Sequence, residues 1–301
     1  MERVETASRW SLVEPLPGPN WYVSVWSDGA GTFWLTGLPS FGRPAPIARS
    51  TDGGHTWALE DLLSRRSHTR VRGAPGGEPW VIGERGMVVT RRDGTWKRVR
   101  TGLKGWVHGL WCPSPETVYL TADGAIARTH DAGRTWSFTE TTFALSTVVG
   151  DGAGSFVAAG KDGVILRSDD GARWSVTREA QPMKQGNIPR YLRALATFAP
   201  GCFVAAGDDA VLRSDDGGRT WRDVTPQGLR EVMSLCVTAS VTWFVGALER
   251  IVRSDDRGAT WVVEHAHEGP GHAWVYALDV DADGRGFAVG PHNTGYLRAA
   301  D

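Results

Sequence analysis

Carboxylates at a repeated spacing are the first residues of this sequence that could do chemistry. They belong to a motif of the form Ser/Thr-x-Asp-x-Gly-x-Thr-Trp, in which an aspartate could bind calcium or exchange protons with a substrate. Complete copies run from Ser50 to Trp57, Thr129 to Trp136, Ser214 to Trp221 and Ser254 to Trp261, and copies shorter by one residue run from Thr90 to Trp96 and Ser168 to Trp174. Six equivalent sites along one chain suit a structural role better than an active site. We therefore expect no catalytic or calcium-binding role for the motif aspartates Asp52, Asp131, Asp170, Asp216 and Asp256.

The residue types of the motif predict a turn that stabilises itself. Asp216 can accept hydrogen bonds from backbone N–H groups of its own turn, and Gly218 can adopt a positive φ. Trp221 is large and apolar enough to insert between neighbouring structural units. The motif is thus interpreted as a structural staple.

Two other groups of side chains could support catalysis or metal binding. His265 and His267 would share one face of a strand and could bind a divalent ion together with His272. Glycoside hydrolysis needs two facing carboxylates, for which the candidates in predicted loops are Glu84, Asp162, Asp208, Asp209 and Glu249. Both groups are also typical of ordinary polar loops, and no nucleophile elbow, phosphate loop or dinucleotide fingerprint is present. We predict no catalytic residue, no metal site and no cofactor.

The elements that carry these motifs repeat about every 40 residues. The motif tryptophans Trp57, Trp96, Trp136, Trp174, Trp221 and Trp261 are 39, 40, 38, 47 and 40 residues apart. Between them lie short β-branched or aromatic segments separated by Gly and Asp, such as 145–151, 155–160, 163–171 and 174–178. This period is typical of a β-propeller with one four-stranded antiparallel blade per repeat.

The two chain ends together complete the count of blades. Segments 275–280, 286–290 and 295–301 supply three strands of a last blade, and the segment 8–14 resembles an isolated outer strand. We predict an all-β, seven-bladed propeller in which the seventh blade consists of 262–301 plus 8–14, so that no open sheet edge remains. Residues 1–301 then form a single domain.

The motif resembles the Asp box, or BNR repeat, of sialidases, sortilin-type receptors, two-propeller glycoside hydrolases and Ycf48-type photosystem II assembly factors. In layout the chain is most similar to the Ycf48-like factors. Sialidases have six blades and an Arg-Ile-Pro signature, of which Gly42-Arg43-Pro44 lacks the middle residue. No sialidase catalytic position is therefore carried over.

In the resembled families the boxes lie between the third and fourth strands, and ligands bind on the opposite face, at the mouth of the central channel. The candidate binding residues of that face are Trp21, Trp106, His108, Arg190, Tyr191, Arg193 and Trp274. Aromatic rings offer contact area at low entropic cost, and arginine offers a bidentate donor. Packing at the tops of the blades is the alternative role for these tryptophans. Long stretches at 37–50 and 178–191 lengthen two loops.

The second blade is strongly basic. Between Arg65 and Lys104 there are eleven basic residues and three acidic ones, a net charge of +8, although the whole chain has a net charge of −1. Arg65, Arg66, Arg70 and Arg72 are the candidate binding residues of this blade. Such a patch could attract an acidic segment of a protein partner. A solvated face with arginines pointing in several directions is the alternative.

Composition excludes several functional classes. Lys and Arg number 33 and Asp and Glu 34, so that the chain as a whole is not biased toward nucleic acid. No stretch is apolar enough to span a bilayer, and the N-terminus shows no signal peptide, which predicts a cytoplasmic protein unless a leader has been removed. Cys112, Cys202 and Cys236 lack CxxC spacing and are expected to be buried thiols.

We expect a monomeric, non-catalytic scaffold that recognises a protein partner with an acidic segment through the mouth loops and the basic second blade. The alternative is a glycan-directed glycoside hydrolase, lyase or lectin that uses the channel mouth.

Overall fold

The computed structural model describes residues 8–13, 16–18, 21–39, 44–60, 66–180, 191–267 and 274–300. The described residues form 28 β-strands and no α-helix. The strands make seven four-stranded antiparallel sheets, which confirms the predicted propeller. No described segment forms a helix that could cross a membrane.

The strands follow the chain blade by blade. Blade 1 contains β2 (Trp21–Ser27), β3 (Phe33–Leu38), β4 (Ile47–Ser50) and β5 (Ala58–Leu59). Blade 2 contains β6 (His68–Arg72), β7 (Trp80–Gly83), β8 (Val88–Arg92) and β9 (Thr95–Arg98). Blade 3 contains β10 (Val107–Trp111), β11 (Val118–Ala122), β12 (Ala125–Thr129) and β13 (Ser137–Glu140).

Blade 4 contains β14 (Leu145–Gly150), β15 (Phe156–Gly160), β16 (Ile165–Ser168) and β17 (Ser175–Arg178). Blade 5 contains β18 (Ala194–Ala199), β19 (Cys202–Gly207), β20 (Ala210–Ser214) and β21 (Arg222–Asp223). Blade 6 contains β22 (Ser234–Val237), β23 (Trp243–Ala247), β24 (Arg250–Ser254) and β25 (Val262–Ala266). Blade 7 contains β26 (Ala277–Val280), β27 (Gly286–Val289), β28 (Gly295–Arg298) and, from the N-terminus, β1 (Trp10–Val13).

The ring closes through the N-terminal strand, as predicted. β1 pairs antiparallel with β28, with Trp10 opposite Arg298 and Val13 opposite Gly295. The first strand of each blade contacts the first strands of the blades on both sides, from β2 and β6 around to β26 and β2. These seven strands surround the central channel. They run in the same direction, so that their N-terminal ends lie on one face, which we call the channel mouth.

The Asp boxes lie on the opposite face, which we call the box face, and their geometry confirms the predicted staple. Asp216 Oδ1 accepts hydrogen bonds from the backbone N–H groups of Arg219 and Thr220, at 3.0 and 2.9 Å. Its Oδ2 accepts one from the Thr220 hydroxyl at 2.6 Å. Gly218 has a φ of 81°, as the turn requires. The same pair of bonds from a single threonine is repeated at Asp52, Asp131 and Asp256.

These hydrogen bonds stabilise the ionised form of the box aspartates. The hydroxyl of Thr260 and the backbone N–H of the same residue lower the pKa of Asp256 to about 2. The equivalent bonds from Thr56 hold the pKa of Asp52 well below its usual range. The carboxylates therefore serve their own turns, and this is the structural role that the sequence predicts for them.

The box tryptophans join neighbouring blades. Trp221 packs against a buried cluster that contains Val157 of blade 4 and Phe203 of blade 5. Trp261 donates a hydrogen bond from Nε1 to the Val224 carbonyl at 3.1 Å, which lies between blades 5 and 6. Partial burial of such large apolar rings stabilises the contact between blades.

A buried ionic cluster holds the closing blade to blade 6. Glu264 on β25 accepts hydrogen bonds from Trp10 Nε1 at 2.8 Å and from Arg298 Nη2 and Nε at 2.9 and 3.1 Å. Arg253 Nη1 donates to the same carboxylate at 3.0 Å. Burial by itself would raise the pKa of Glu264, but the bonds from Arg298 and Trp10 lower it overall. Residues of three strands thus share one carboxylate at the seam of the ring.

Candidate functional site

The channel mouth brings together most of the candidate residues that the structure describes. Trp21 begins β2, Trp106 precedes β10, and Trp274 precedes β26. Because the first strands of all blades begin at this face, these side chains lie around one opening. Arg65 and Arg190 lie outside the described residues.

Three rings form a row at the edge of blades 7 and 1. Trp274 and Tyr276 are nearly parallel, at 7° between their planes, with ring centroids 6.4 Å apart. Tyr276 and Trp21 are also 6.4 Å apart, at 22°. Trp21 is 44% exposed, and its other side meets the edge of the His292 ring at 5.8 Å. We call Trp274, Tyr276 and Trp21 the aromatic row.

One end of the aromatic row is fixed by a carboxylate. Trp274 Nε1 donates a 2.7 Å hydrogen bond to Glu231 Oε2, in the connection from blade 5 to blade 6. Glu231 has a φ of 51°, in the left-handed region that a non-glycine residue rarely adopts. Positive φ outside glycine persists where the surrounding structure enforces it and is enriched at binding sites.

A second aromatic platform lies over blade 3. Trp106 is 40% exposed, and its ring stacks on that of His108 at 6.4 Å between centroids and 13° between planes. Asp123 holds both residues, because its Oδ2 accepts from the Trp106 backbone N–H at 3.0 Å and its Oδ1 lies 3.0 Å from His108 Nε2. Asp123 was not among the candidate residues predicted from the sequence.

A similar arrangement recurs at blade 5 with a different pair of side chains. Asp208 Oδ2 accepts from the Tyr191 backbone N–H at 2.6 Å, and Asp208 Oδ1 accepts from Arg193 Nε at 3.0 Å. The Arg193 guanidinium also lies over the Tyr191 ring, 5.2 Å from its centroid. Asp208 was a candidate acid for glycoside hydrolysis, but the structure uses its carboxylate to position Tyr191 and Arg193.

Asp123 and Asp208 share a sequence signal. Each follows directly after the second strand of its blade and precedes a tight loop. A comparison of these loop positions between blades could have paired Asp123 with His108 and Asp208 with Arg193. Tyr276 could have been found from its spacing of two residues after Trp274.

The arginines of the second blade do not share one surface. Arg66 lies at the mouth, where its Nη1 donates to the Arg85 carbonyl at 3.4 Å. Arg70 reaches across the channel, with Nη2 3.2 Å from the Arg193 carbonyl of blade 5. Arg72 lies deeper, and its Nη1 donates to the backbone carbonyls of Val25 and Val71 at 2.5 and 2.8 Å.

The two arginines of β8 contact neighbouring blades. Arg91 lies 3.4 Å from the Glu78 carboxylate and over the Trp34 ring, at 5.5 Å from its centroid. Arg92 donates to the Ala132 carbonyl of blade 3. The charge of +8 is therefore divided among the mouth, the channel and the box face.

Charge at the mouth is distributed unevenly around the ring. The mouth loops of blade 2 and the connection that follows it carry Arg66, Arg85 and Lys104. Over blades 5 and 6 the acidic residues Asp208, Asp209, Glu231 and Glu249 lie together with Arg193 and Arg230, and Glu84 lies beside Arg85 in the blade 2 loop. In a ring of seven, blades 5 and 6 are the most distant from blade 2. The blade 2 side of the mouth is therefore net basic, and the opposite side carries charges of both signs.

The histidine and cysteine candidates do not form a shared site in the described part of the chain; the His267 N–H donates to the Glu249 carbonyl at 2.8 Å. His265 packs on Tyr296 with ring centroids 4.7 Å apart, and His272 lies outside the described residues. No group of three or more metal-binding side chains occurs in the described ranges. Cys112 and Cys236 are buried, as expected, whereas Cys202 is half-buried. Burial raises the pKa of all three thiols.

Comparison with known proteins agrees with the repeat pattern. The family described as photosynthesis system II assembly factor YCF48 matches residues 40–181, a segment that contains four of the six boxes. A solved structure described as "YCF48 bound to D1 peptide" is 19% identical, with a TM-score of 0.75 over 98% of both chains. The chain is an Asp-box propeller that resembles Ycf48.

Other comparisons define how far this resemblance extends. Ycf48 from Cyanidioschyzon merolae is 18% identical, with a TM-score of 0.72 over 97% of this chain and 99% of its own. A streptogramin B lyase has a TM-score of 0.76 at 11% identity, over 97% and 98%. At these identities the likeness to Ycf48 and to the lyase shows the seven-bladed fold alone. A search among curated proteins found no match.

Proposed function

We propose that this chain is a non-catalytic scaffold that binds a protein partner across the channel mouth. The observation that carries the proposal is the aromatic row Trp274, Tyr276 and Trp21, which lies on the same face as the Trp106 platform. Tryptophans that remain 44% and 40% exposed, at Trp21 and Trp106, present large apolar areas to solvent. Exposed tryptophans next to fixed polar groups are typical of binding hot spots.

The mouth side chains are held in place before any partner arrives. Asp123 orients Trp106 and His108, Asp208 orients Tyr191 and Arg193, and Glu231 holds Trp274. A surface whose rotamers are already fixed loses less conformational entropy on binding. This supports recognition by a preformed surface.

The occupied carboxylates also support a role without catalysis. Hydrolysis of a glycosidic bond needs a free acid and a free base that face each other. Asp208, one of the five candidate acids, instead accepts hydrogen bonds from Tyr191 and Arg193, and Asp123 is bound to Trp106 and His108 in the same way. These partners lie at the start of the first strand of the blade or in the connection that precedes it. Their function in this proposal is to position recognition residues.

A partner with an acidic segment fits the basic side of the mouth. Arg66, Arg85 and Lys104 would attract such a segment to the blade 2 side and accelerate its association. Its apolar side chains would then reach the aromatic row on the nearby blades 1 and 7. The relative described as bound to a D1 peptide shows that a propeller of this layout binds a peptide, and only that mode of action is transferred here.

The experiment is selection of peptides from a random display library on the immobilised protein, followed by calorimetric measurement of Kd. Trp21→Ala should raise the Kd of the selected peptides by about 30-fold or more, the range of a hot-spot residue. The matched control is Phe138→Ala, because Phe138 is an aromatic residue of similar exposure, 49%, on an outer strand far from the mouth. Phe138→Ala should leave Kd unchanged.

Three results would contradict the proposal. One is the absence of any selected peptide, and another is equal weakening by Trp21→Ala and Phe138→Ala. The third is saturable binding or cleavage of oligosaccharides on a glycan array, abolished by Trp21→Ala, which would establish the glycan-directed alternative instead.

A further inference from the structure

We propose that the central channel contains an anion-binding site at Arg70 and Arg72 that takes one carboxylate or a similarly compact anion. The site lies below the mouth, and its residues differ from the aromatic row on which the proposed function depends. It therefore goes beyond that function and can be tested without a protein partner.

Two positive charges on β6 share the channel, and the charge of Arg72 acts on Arg70. Arg70 and Arg72 alternate with Val71 on β6, so that their side chains leave the strand on the same face. Arg70 extends to the carbonyl of Arg193, which belongs to the blade 5 side of the ring, and its side chain therefore crosses the channel. Arg72 turns toward the Val25 carbonyl of blade 1. Neither guanidinium has a carboxylate within 4.0 Å among the described residues.

Most N–H donors of the two groups have no acceptor in the described part of the chain. Arg70 uses only Nη2, for the Arg193 carbonyl, and Arg72 uses only Nη1, for two carbonyls. A guanidinium has five N–H donors arranged in a plane, a geometry that matches a carboxylate. Several donors therefore remain for a ligand, and both residues keep some accessible surface.

The electrostatics of the channel favour an anion there. Burial, together with the neighbouring charge of Arg72, lowers the pKa of Arg70 to about 9. Arg70 therefore remains charged at neutral pH, although its surroundings disfavour the positive charge. Asp279 is the carboxyl group whose pKa is affected by the charge of Arg72. Its carboxylate already accepts hydrogen bonds from the Ser27 N–H at 2.8 Å and from the Cys236 thiol at 3.2 Å. Burial raises the pKa of Asp279, with the charge of Arg72 opposing that shift.

Two half-buried like charges repel each other, and the Asp279 carboxylate offsets this repulsion in part from the side of Arg72. A compact anion at Arg70 and Arg72 would offset it further and supply acceptors for the remaining donors. The anion could be free in solution, or it could be the side-chain carboxylate of a partner segment that enters from the mouth. The chemistry is the same in both cases.

The first test locates the anion directly. Crystals of the full chain are soaked in sodium bromide, and anomalous scattering shows where bromide binds. The proposal expects a peak within about 4 Å of the guanidinium groups of Arg70 and Arg72, the usual contact range of a charged pair. Diffraction without anomalous density in the channel would overturn it.

The second test measures binding in solution. Thermal unfolding is followed in increasing sodium acetate, with sodium ions kept constant by the bulky anion MES. When the acetate concentration is about 100 times its Kd, Tm should rise by about 5 °C. Arg70→Gln should abolish the increase. Arg98→Gln is the matched control, because Arg98 is an exposed arginine on the outer strand of the same blade, and it should retain the increase.

The two sources of the anion are separated by the probe. An increase in Tm with acetate but not with acetyl-Gly-Glu-Gly-amide would support a free anion, and an increase with both would support entry of a partner side chain. The same acetate response in wild type and Arg70→Gln would contradict the site. Trp21→Ala should leave the acetate response intact, so that failure of the partner-binding function and failure of the anion site give different results.

Discussion

The box face and the channel mouth are built on the same blades, yet they differ in how strictly they repeat. On the box face, Asp52, Asp131, Asp216 and Asp256 make the same pair of bonds to a threonine four residues later. At the mouth each blade carries different side chains. Repetition thus accompanies the turns that stabilise the fold, and variation accompanies the face that we propose for binding.

The difference has a physical basis. A turn that satisfies its own N–H groups needs the same donors and acceptors wherever it occurs, so that each copy is constrained in the same way. Loops at the mouth have only to connect strands, and their side chains are therefore left to vary. We therefore expect stability to reside in the repeated parts and at the seam of the ring rather than at the mouth.

The largest effect is expected at the seam. Glu264→Leu would leave Arg298, a fully buried cation, without its carboxylate, and removal of one partner of a buried ion pair costs about 3–5 kcal/mol. Urea denaturation at pH 7 measures the loss in the free energy of unfolding. Asp209→Leu, at an exposed position of a mouth loop, should change it by less than about 0.5 kcal/mol. Equal losses for the two variants would contradict the comparison.

A matched pair of glycines gives the next largest effect. Gly218 of the box face and Gly228 of a mouth connection have nearly equal φ angles, 81° and 77°. A Cβ on Gly218 would lie 2.7 Å from Val157 Cγ2, whereas a Cβ on Gly228 would meet no atom within 4 Å. Gly228→Ala should cost about 1 kcal/mol for the backbone conformation alone, and Gly218→Ala about 2–4 kcal/mol because the clash is added.

The free energies of unfolding of both variants are measured in the same denaturant series. If Gly218→Ala were no more destabilising than Gly228→Ala, the tight packing of the box against the preceding blade would not matter for stability.

The smallest effect concerns pH. The pKa of Asp256 is lowered to about 2 in the folded chain, below its ordinary value near 4, so that its ionisation stabilises the fold above pH 4. This contribution is lost as the pH falls from 4 to 2. Asp256→Asn should therefore lower Tm at pH 7, and the difference from wild type should shrink toward pH 2. A constant difference over that range would argue against the proton linkage.

Much of the box face could be predicted from the sequence, but less of the mouth could. The side chains of Ser214 and Asp216 make their hydrogen bonds within the segment from Ser214 to Trp221, and a local pattern is sufficient to predict these bonds. The positions of Arg70 and Asp208 depend on residues from other strands or blades. Arg70 was expected on a basic surface, yet its guanidinium lies in the channel against the Arg193 carbonyl of blade 5.

The sequence by itself determined the period, the four-stranded blade, the number of blades and the closure by the N-terminal strand, because each depends on short-range patterns repeated along the chain. Only the tertiary structure decided which mouth side chains meet. The aromatic row joins Trp274 and Tyr276 to Trp21, residues from opposite ends of the chain, and this contact exists only because the ring closes. The two arginines of β6 likewise share the channel because seven first strands surround it, a geometry that no local pattern contains.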